Sequence, residues 1–258
     1  MEMKVSIITV VLNNKDCIED CIRSVLSQTY PNIEYVVVDG GSTDGTLDII
    51  ARYDGLITKW ISEPDKGLYD AMNKGIRMAT GDIVGILNSD DYYANSNIIE
   101  KVVQTMSDPS VEACYGDLVY IDRHNPDNIV RYWQSKPFES GLFKRGWAPP
   151  HPTFFVRRSI FERFGAFDLQ YRLAADFELL VRLLERYKIQ SLYLPDVITK
   201  MRTGGVTNRS YANIIRQNIE ILQACKENNV KVSLMGFITE KLLNRHRQFK
   251  TGLKNYEG

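Results

Sequence analysis

Three apolar, β-branched runs dominate the start of the chain: Lys4–Leu12 (KVSIITVVL), Ile33–Val38 (IEYVVV) and Ile83–Leu87 (IVGIL). Runs that are apolar at nearly every position suit strands covered on both faces, as in parallel sheets. Between them the periodicity becomes helical. Ile18, Cys21, Ile22, Val25 and Leu26 recur at helical spacing, a second helix leads to Tyr53, and a third follows a strand at Ile57–Ser62 and runs from Lys66 to Met78. Strand and helix alternating with such short connections imply parallel strands joined by right-handed crossovers. Ligands of such sheets bind at the carboxyl ends of the strands. Asp39, Asp65, Asp90 and Asp91 all fall at or just beyond strand ends, so they are expected to meet along one edge.

The most heavily charged of these ends is Asn88-Ser89-Asp90-Asp91. Adjacent carboxylates at the mouth of a buried strand repel each other and are costly to desolvate unless a cation sits between them. Hard oxygens on a short loop suit Mg²⁺ or Mn²⁺, which keep positions open for phosphate. A solvated turn is the plainer alternative, because Asp and Asn are ordinary turn residues.

The 258 residues, 44% of them hydrophobic, can build one large α/β domain or two small ones. Lys+Arg and Asp+Glu are each 32, and this balance gives no support to nucleic-acid binding. The four cysteines form no CxxC pair, and Cys17 and Cys21 read as buried thiols on a helix. Asp16 with Glu19 reads as that helix's capping pair. There is no apolar leader and no run of 18 apolar residues, so a cytoplasmic, reducing setting is expected. Further along, strands are expected at Ala113–Ile121, Ile129–Gln134, Thr153–Val156 and Ile189–Leu194. Helices are expected at Asn97–Met106, Ser159–Phe164 and Ala174–Arg186, and the chain is mostly helical from Tyr211 onward. The expected organisation is one domain over residues 1–210 and a helical C-terminal extension over 211–258.

Taken in order, SIITVVLNN, CIRSVLSQTYPNIEYVVVDGGSTDGT, GLYDAMNKGIRMATGDIVGILNSDDYY and the later AADFELLVRLL resemble the family 2 glycosyltransferases. These are inverting, sugar-nucleotide-dependent enzymes of the GT-A fold, an α/β architecture with a Rossmann-like, mostly parallel central sheet flanked by helices. The resemblance covers residues 4–205 and is greatest to the branch that builds bacterial surface polysaccharides. It implies that Thr9, Val10 and Val11 line the base and ribose, and that Asp39 accepts a hydrogen bond from uracil N3–H, a donor that needs an acceptor. It implies that Asp65 and Lys66 continue the base site, and that Asp70 and Asn73 reach towards the ribose or the central carboxylates. In the carboxylate pair, Asp91 would hold the metal (Mn²⁺ or Mg²⁺) and Asp90 would contact ribose or sugar, although Asn88 stands where many members carry a further Asp. Asp176 resembles the catalytic base, with Ala175 where many members have Glu. Glu178, two residues on, reads as a solvated helix residue. The implied partners are a nucleotide-sugar donor, UDP-linked, and a saccharide or polyprenyl-linked acceptor.

Other residues stay open between two readings. His151, in a proline-rich loop, is either a sugar or acceptor contact or a packed loop histidine. Trp147 and Trp133 are either a sugar-stacking platform or core. Arg202, with Thr203-Gly204-Gly205, lies where the family often has a lid over the diphosphate, and is either a phosphate partner or part of a surface turn. Lys241, Arg245, Arg247 and Lys250, interleaved with Leu242, Leu243 and Phe249, suit peripheral association with the inner face of an anionic membrane. Packing on the domain, or on a second subunit of a homo-oligomer, serves equally. A Rossmann oxidoreductase is opposed by the glycine-free turn Leu12-Asn13-Asn14-Lys15. A catalytically silent sugar-nucleotide-binding module on the same fold is the remaining alternative, opposed by Asp91 and Asp176.

Overall fold

A computed structural model describes residues 2–204 and 211–232 of the protein. The chain opens as β1 (Val5–Val11), α1 (Ile18–Leu26), β2 (Ile33–Asp39), α2 (Thr46–Arg52), β3 (Lys59–Ser62), α3 (Leu68–Met78) and β4 (Ile83–Asn88). All seven residues of β1 are buried, as the unbroken apolar run requires. β1 lies parallel between β2 and β4, and β2 is parallel to β3. The register pairs Val11 with Asp39, Val10 with Asn88 and Asp39 with Ser62. The carboxyl ends of four strands are therefore level, and the expected edge exists.

Beyond β4 come β5 (Tyr92–Tyr93), α4 (Ile98–Thr105), β6 (Ala113–Ile121), β7 (Ile129–Trp133), β8 (Phe155–Arg157), α5 (Arg158–Phe164), α6 (Ala175–Leu180), β9 (Ser191–Arg202) and α7 (Tyr211–Glu227). The sheet order is β3-β2-β1-β4-β8-β6-β9-β5, with β7 beside β6. β8 runs antiparallel between β4 and β6, and β9 is parallel to β6.

Three elements differ from the sequence expectation. β9 runs on to Arg202 instead of ending near Leu194. Pro195 cannot donate to a ladder, and register shifts in β6 between Tyr115 and Leu118 absorb it. The helix expected over 174–186 is α-helical only to Leu180 and widens into a π-helix over Val181–Arg186, a distinction that apolar periodicity cannot make. The N-cap of α1 is Cys17, without a side-chain cap bond. Glu19 instead pairs with Arg23 and Arg52 and accepts from the Tyr53 hydroxyl.

α7 packs on α6. Ile221, Ala224 and Cys225 are buried, and Glu220 accepts the backbone N–H groups of Leu173 and Ala174 just before α6. The basic stretch from Lys241 to Lys250 lies outside the described residues. Among the described residues, no helix is long and apolar enough to cross a membrane.

α3 lies against β1 with Gly75 at the contact, where a Cβ would sit 2.3 Å from Ile8 Cγ2. Gly→Ala within an exposed helix normally gains up to about 1 kcal/mol. Here Gly75→Ala is expected to destabilise by about 1–3 kcal/mol through overpacking, seen as a fall in the thermal midpoint. An unchanged or raised midpoint would show that the two elements can separate at no cost.

Candidate active site

The base-recognition candidate Asp39 closes β2 and is fully buried. Its Oδ2 accepts three donors: the N–H groups of Gly41 and Ser42, each at 2.9 Å, and the Ser62 hydroxyl at 2.7 Å. Its Oδ1 is buried with no partner among the described residues. The opposite end of the sheet offers a contrast. There the equally buried Glu34 satisfies both oxygens through Ser6, Thr80 and Lys59. An unmatched buried acceptor costs about 1–3 kcal/mol, and Asp39 carries one.

Asp65 comes close beside Asp39. A Cβ at Gly40 would lie 2.4 Å from Asp65 Oδ2 and 3.5 Å from Leu12 Cδ1, so a larger residue there would displace the Asp65 carboxylate. Asp65 Oδ1 accepts the Gly67 N–H, and Asp70 accepts the N–H of the exposed Lys66. Leu12 is 55% exposed. It lies one residue past the last paired position of β1, and the sequence pattern alone does not single it out.

The side chains of Thr9, Val10 and Val11, expected to line the nucleotide, point into the core. The Thr9 hydroxyl accepts from Tyr35 and lies 3.5 Å from Cys21 Sγ, wholly within the core. Val10 and Val11 are buried in separate hydrophobic clusters. Side chains of a strand covered on both faces go to the flanking helices, and only the residue beyond the ladder reaches the edge. Asn73 is likewise engaged inside. Its amide donates to the Phe167 carbonyl (2.8 Å) and accepts the Phe167 N–H (2.9 Å).

At the end of β4 the two carboxylates differ. Asp91 is fully buried, accepting from Asn88 Nδ2 at 3.1 Å and from the Arg202 N–H at 3.3 Å. Burial, then the Asp90 charge, push its carboxyl well above the usual range, against those two hydrogen bonds. Asp90 is half-exposed and is the member of the pair with direct access from solvent. Asn88 Oδ1 is buried and unpartnered among the described residues. The Asn14 side chain ties this turn to the end of β1 through Ser89. Arg202 is the last residue of β9, and Gly205 of the expected lid lies outside the described residues. Arg202 itself is 4% exposed, donates to the Asp90 carbonyl and Asp20, and lies 5.1 Å over the Tyr92 ring. Its guanidinium is committed to holding the carboxylate turn.

Asp176 lies in the first turn of α6 and is half-buried. It is not the N-cap, a position taken by Ala174 without a side-chain bond. Its Oδ1 accepts the Phe177 N–H at 2.9 Å and the Tyr69 hydroxyl at 3.0 Å. His151 lies near enough to feel the Asp176 charge, but burial outweighs it and holds the imidazole below its ordinary value. The His151 ring meets Phe167 edge-on at 5.5 Å. Trp147, partly buried, packs against the core among Phe138, Phe143 and Tyr115. Glu178 is not solvated. It is 4% exposed and bonded to Arg182, whose guanidinium also donates to the carbonyls of Phe164, Gly165 and Ala166.

Comparisons with known proteins identify the family. The chain belongs to glycosyl transferase family 2, whose model matches residues 6–165. An uncharacterized glycosyltransferase of Mycobacterium tuberculosis is 34% identical over 185 residues, 69% of this chain and 68% of the relative. WfaP of Escherichia coli, a UDP-Glc:alpha-D-GlcNAc-diphosphoundecaprenol beta-1,3-glucosyltransferase, is 29% identical over 218 residues, 83% of this chain and 84% of its own. Among solved structures, a mannosyltransferase of Pyrobaculum calidifontis in complex with GDP-Man and Mn²⁺ superposes with a TM-score of 0.66 at 23% identity, covering 95% of this chain and 71% of that one. The fold is that of the GT-A glycosyltransferases.

Proposed function

We propose that the protein moves a sugar from a UDP-linked donor to a hydroxyl of a saccharide or lipid-linked saccharide, inverting the anomeric centre. The observation that carries this reading is the unpartnered Asp39 Oδ1, buried at the same sheet edge as the Asp90–Asp91 pair. An imide N–H of uracil supplies the missing donor, whereas N3 of cytosine is an acceptor. Leu12, exposed beside Gly40, offers an apolar surface for the base.

The Asp90 and Asp91 carboxylates, with Asn88 Oδ1, form a hard oxygen set on one turn and fit a divalent cation. Mg²⁺ and Mn²⁺ are held by one or two carboxylates and completed by substrate phosphates and water. Such an ion would offset charge on the departing diphosphate. Asn88 and Arg202 hold the turn for it. Asp176 receives the proton of the acceptor hydroxyl as that hydroxyl attacks the face opposite the leaving nucleotide. WfaP, by its name, uses UDP-Glc and a diphosphoundecaprenol-linked acceptor. A polyprenyl-linked acceptor here would bring the protein to a membrane surface.

The test is a panel of UDP-, dTDP-, GDP- and CDP-sugars with candidate acceptors, reading released nucleotide and the configuration of the product. Donors with an imide or lactam N–H are expected to react, UDP-sugars best, and an α-linked donor is expected to give a β-linked product. Equal use of a CDP-sugar would remove the role given to Asp39, and an α-linked product would remove inversion.

A further inference from the structure

We propose that Tyr69 is a positioning residue for the transfer, its hydroxyl fixing one oxygen of Asp176 and leaving the other to take the acceptor proton. This rests on the reading of Asp176 as the general base. Both donors that reach the carboxylate, the Tyr69 hydroxyl and the Phe177 N–H, meet Oδ1. Oδ2 makes no hydrogen bond among the described residues, so the two oxygens have separate tasks. A base that must be within hydrogen-bond reach of its proton gains from having its rotation fixed.

The hydroxyl is itself held. Tyr69 is 8% exposed, and its ring stacks on Phe167 with centroids 5.4 Å apart and planes 27° apart. Phe167 is gripped through its backbone by both ends of the Asn73 amide. Tyr69 and Asn73 are four residues apart on α3, hence on one face. A single helix face therefore reaches across to the loop before α6 and sets the Tyr69 hydroxyl against Asp176. Tyr69 and Asn73 thus act on the catalytic carboxylate. Burial first, then the Asp176 charge, hold the phenol far above its ordinary value. Tyr69 accordingly stays protonated, as a donor to Asp176 and not a rival base.

The experiment compares Tyr69→Phe, Asp176→Asn and the double variant in full-length protein, measuring kcat, donor KM and thermal midpoint. Phe keeps the ring stack and removes one hydrogen bond to a charged group. Tyr69→Phe is expected to lower kcat by about 10-fold or more, with donor KM and midpoint unchanged. The double variant should be no slower than Asp176→Asn alone, because Tyr69 acts through that carboxylate. A wild-type kcat for Tyr69→Phe, with Asp176→Asn inactive, overturns this inference and leaves the proposed function standing. The positioning role is equally overturned if the kcat loss comes with a lowered midpoint, which marks packing, or if the two losses multiply. An active Asp176→Asn instead removes the base itself, and the positioning role with it.

Discussion

Asp176→Asn should lower transfer by about 10²-fold or more, the usual scale of general-base catalysis, while donor binding and thermal stability stay near wild type. The geometry makes this substitution unusually clean. Asn can present its carbonyl oxygen where Oδ1 now accepts the Phe177 N–H and the Tyr69 hydroxyl, so the local hydrogen bonds survive. What Asn lacks is a second oxygen able to take a proton. A capping role gives the opposite result, because Asn caps as well as Asp, and here the N-cap is Ala174 in any case. Isothermal titration with UDP and a single-turnover transfer assay separate binding from chemistry. A near wild-type transfer rate would move the search for a base to His151. Glu178 is no substitute, since its carboxylate is bonded to Arg182 and Asn228 inside the protein.

The strand ends are readable from sequence because the information is local. An apolar run that stops at Asp39 or at Asn88-Ser89-Asp90-Asp91 declares both a buried strand and its exit. What lies beyond such reading is the direction of side chains whose partners are distant in sequence. Asp70 and Asn73 share a helix face in the sequence, yet Asn73 is committed to Phe167, 94 residues away. Tyr69 reads as an ordinary core aromatic until Asp176, 107 residues on, is placed beside it. Thr9, Val10 and Val11 are assigned to the nucleotide by the family's pattern, but their strand is covered on both faces, and the first residue free to leave it is Leu12. For Glu178 a local sign does exist. Arg182 stands at i+4, the spacing of a helical ion pair, and Asn228, the residue after α7, donates to Glu178 inside the protein. That donor comes from 50 residues further along the chain, where no pattern in the helix itself could announce it.

Asp91→Asn is expected to abolish metal-dependent transfer and at the same time to raise the thermal midpoint of the metal-free protein. Asp91 is fully buried beside Asp90, and among the described residues its two oxygens accept from the Asn88 amide and the Arg202 backbone N–H, so an Asn here keeps both bonds only with the Asn88 amide turned over, its unpartnered Oδ1 accepting the new NH2 group. The Arg202 guanidinium favours the ionised Asp91 through its charge, but its hydrogen bonds go to Asp20 and the Asp90 carbonyl. A buried carboxylate with a like charge next to it and no paired cation costs stability. Residues kept for function at such a cost are those whose neutral replacement stabilises the fold. For a domain of this size, each kcal/mol recovered moves the midpoint by about 2–4 °C. Asp90→Asn should separate the two effects. Asp90 is half-exposed, so its replacement should leave the midpoint nearly unchanged while raising the Mn²⁺ concentration needed for half-maximal transfer by about 10-fold or more, the loss of one charged ligand interaction. Differential scanning calorimetry without metal, and Mn²⁺ titrations of transfer, give the two readouts. Transfer that persists undiminished in excess EDTA would remove the cation from the mechanism. A midpoint that falls in Asp91→Asn would show that the buried charge is already compensated within the fold.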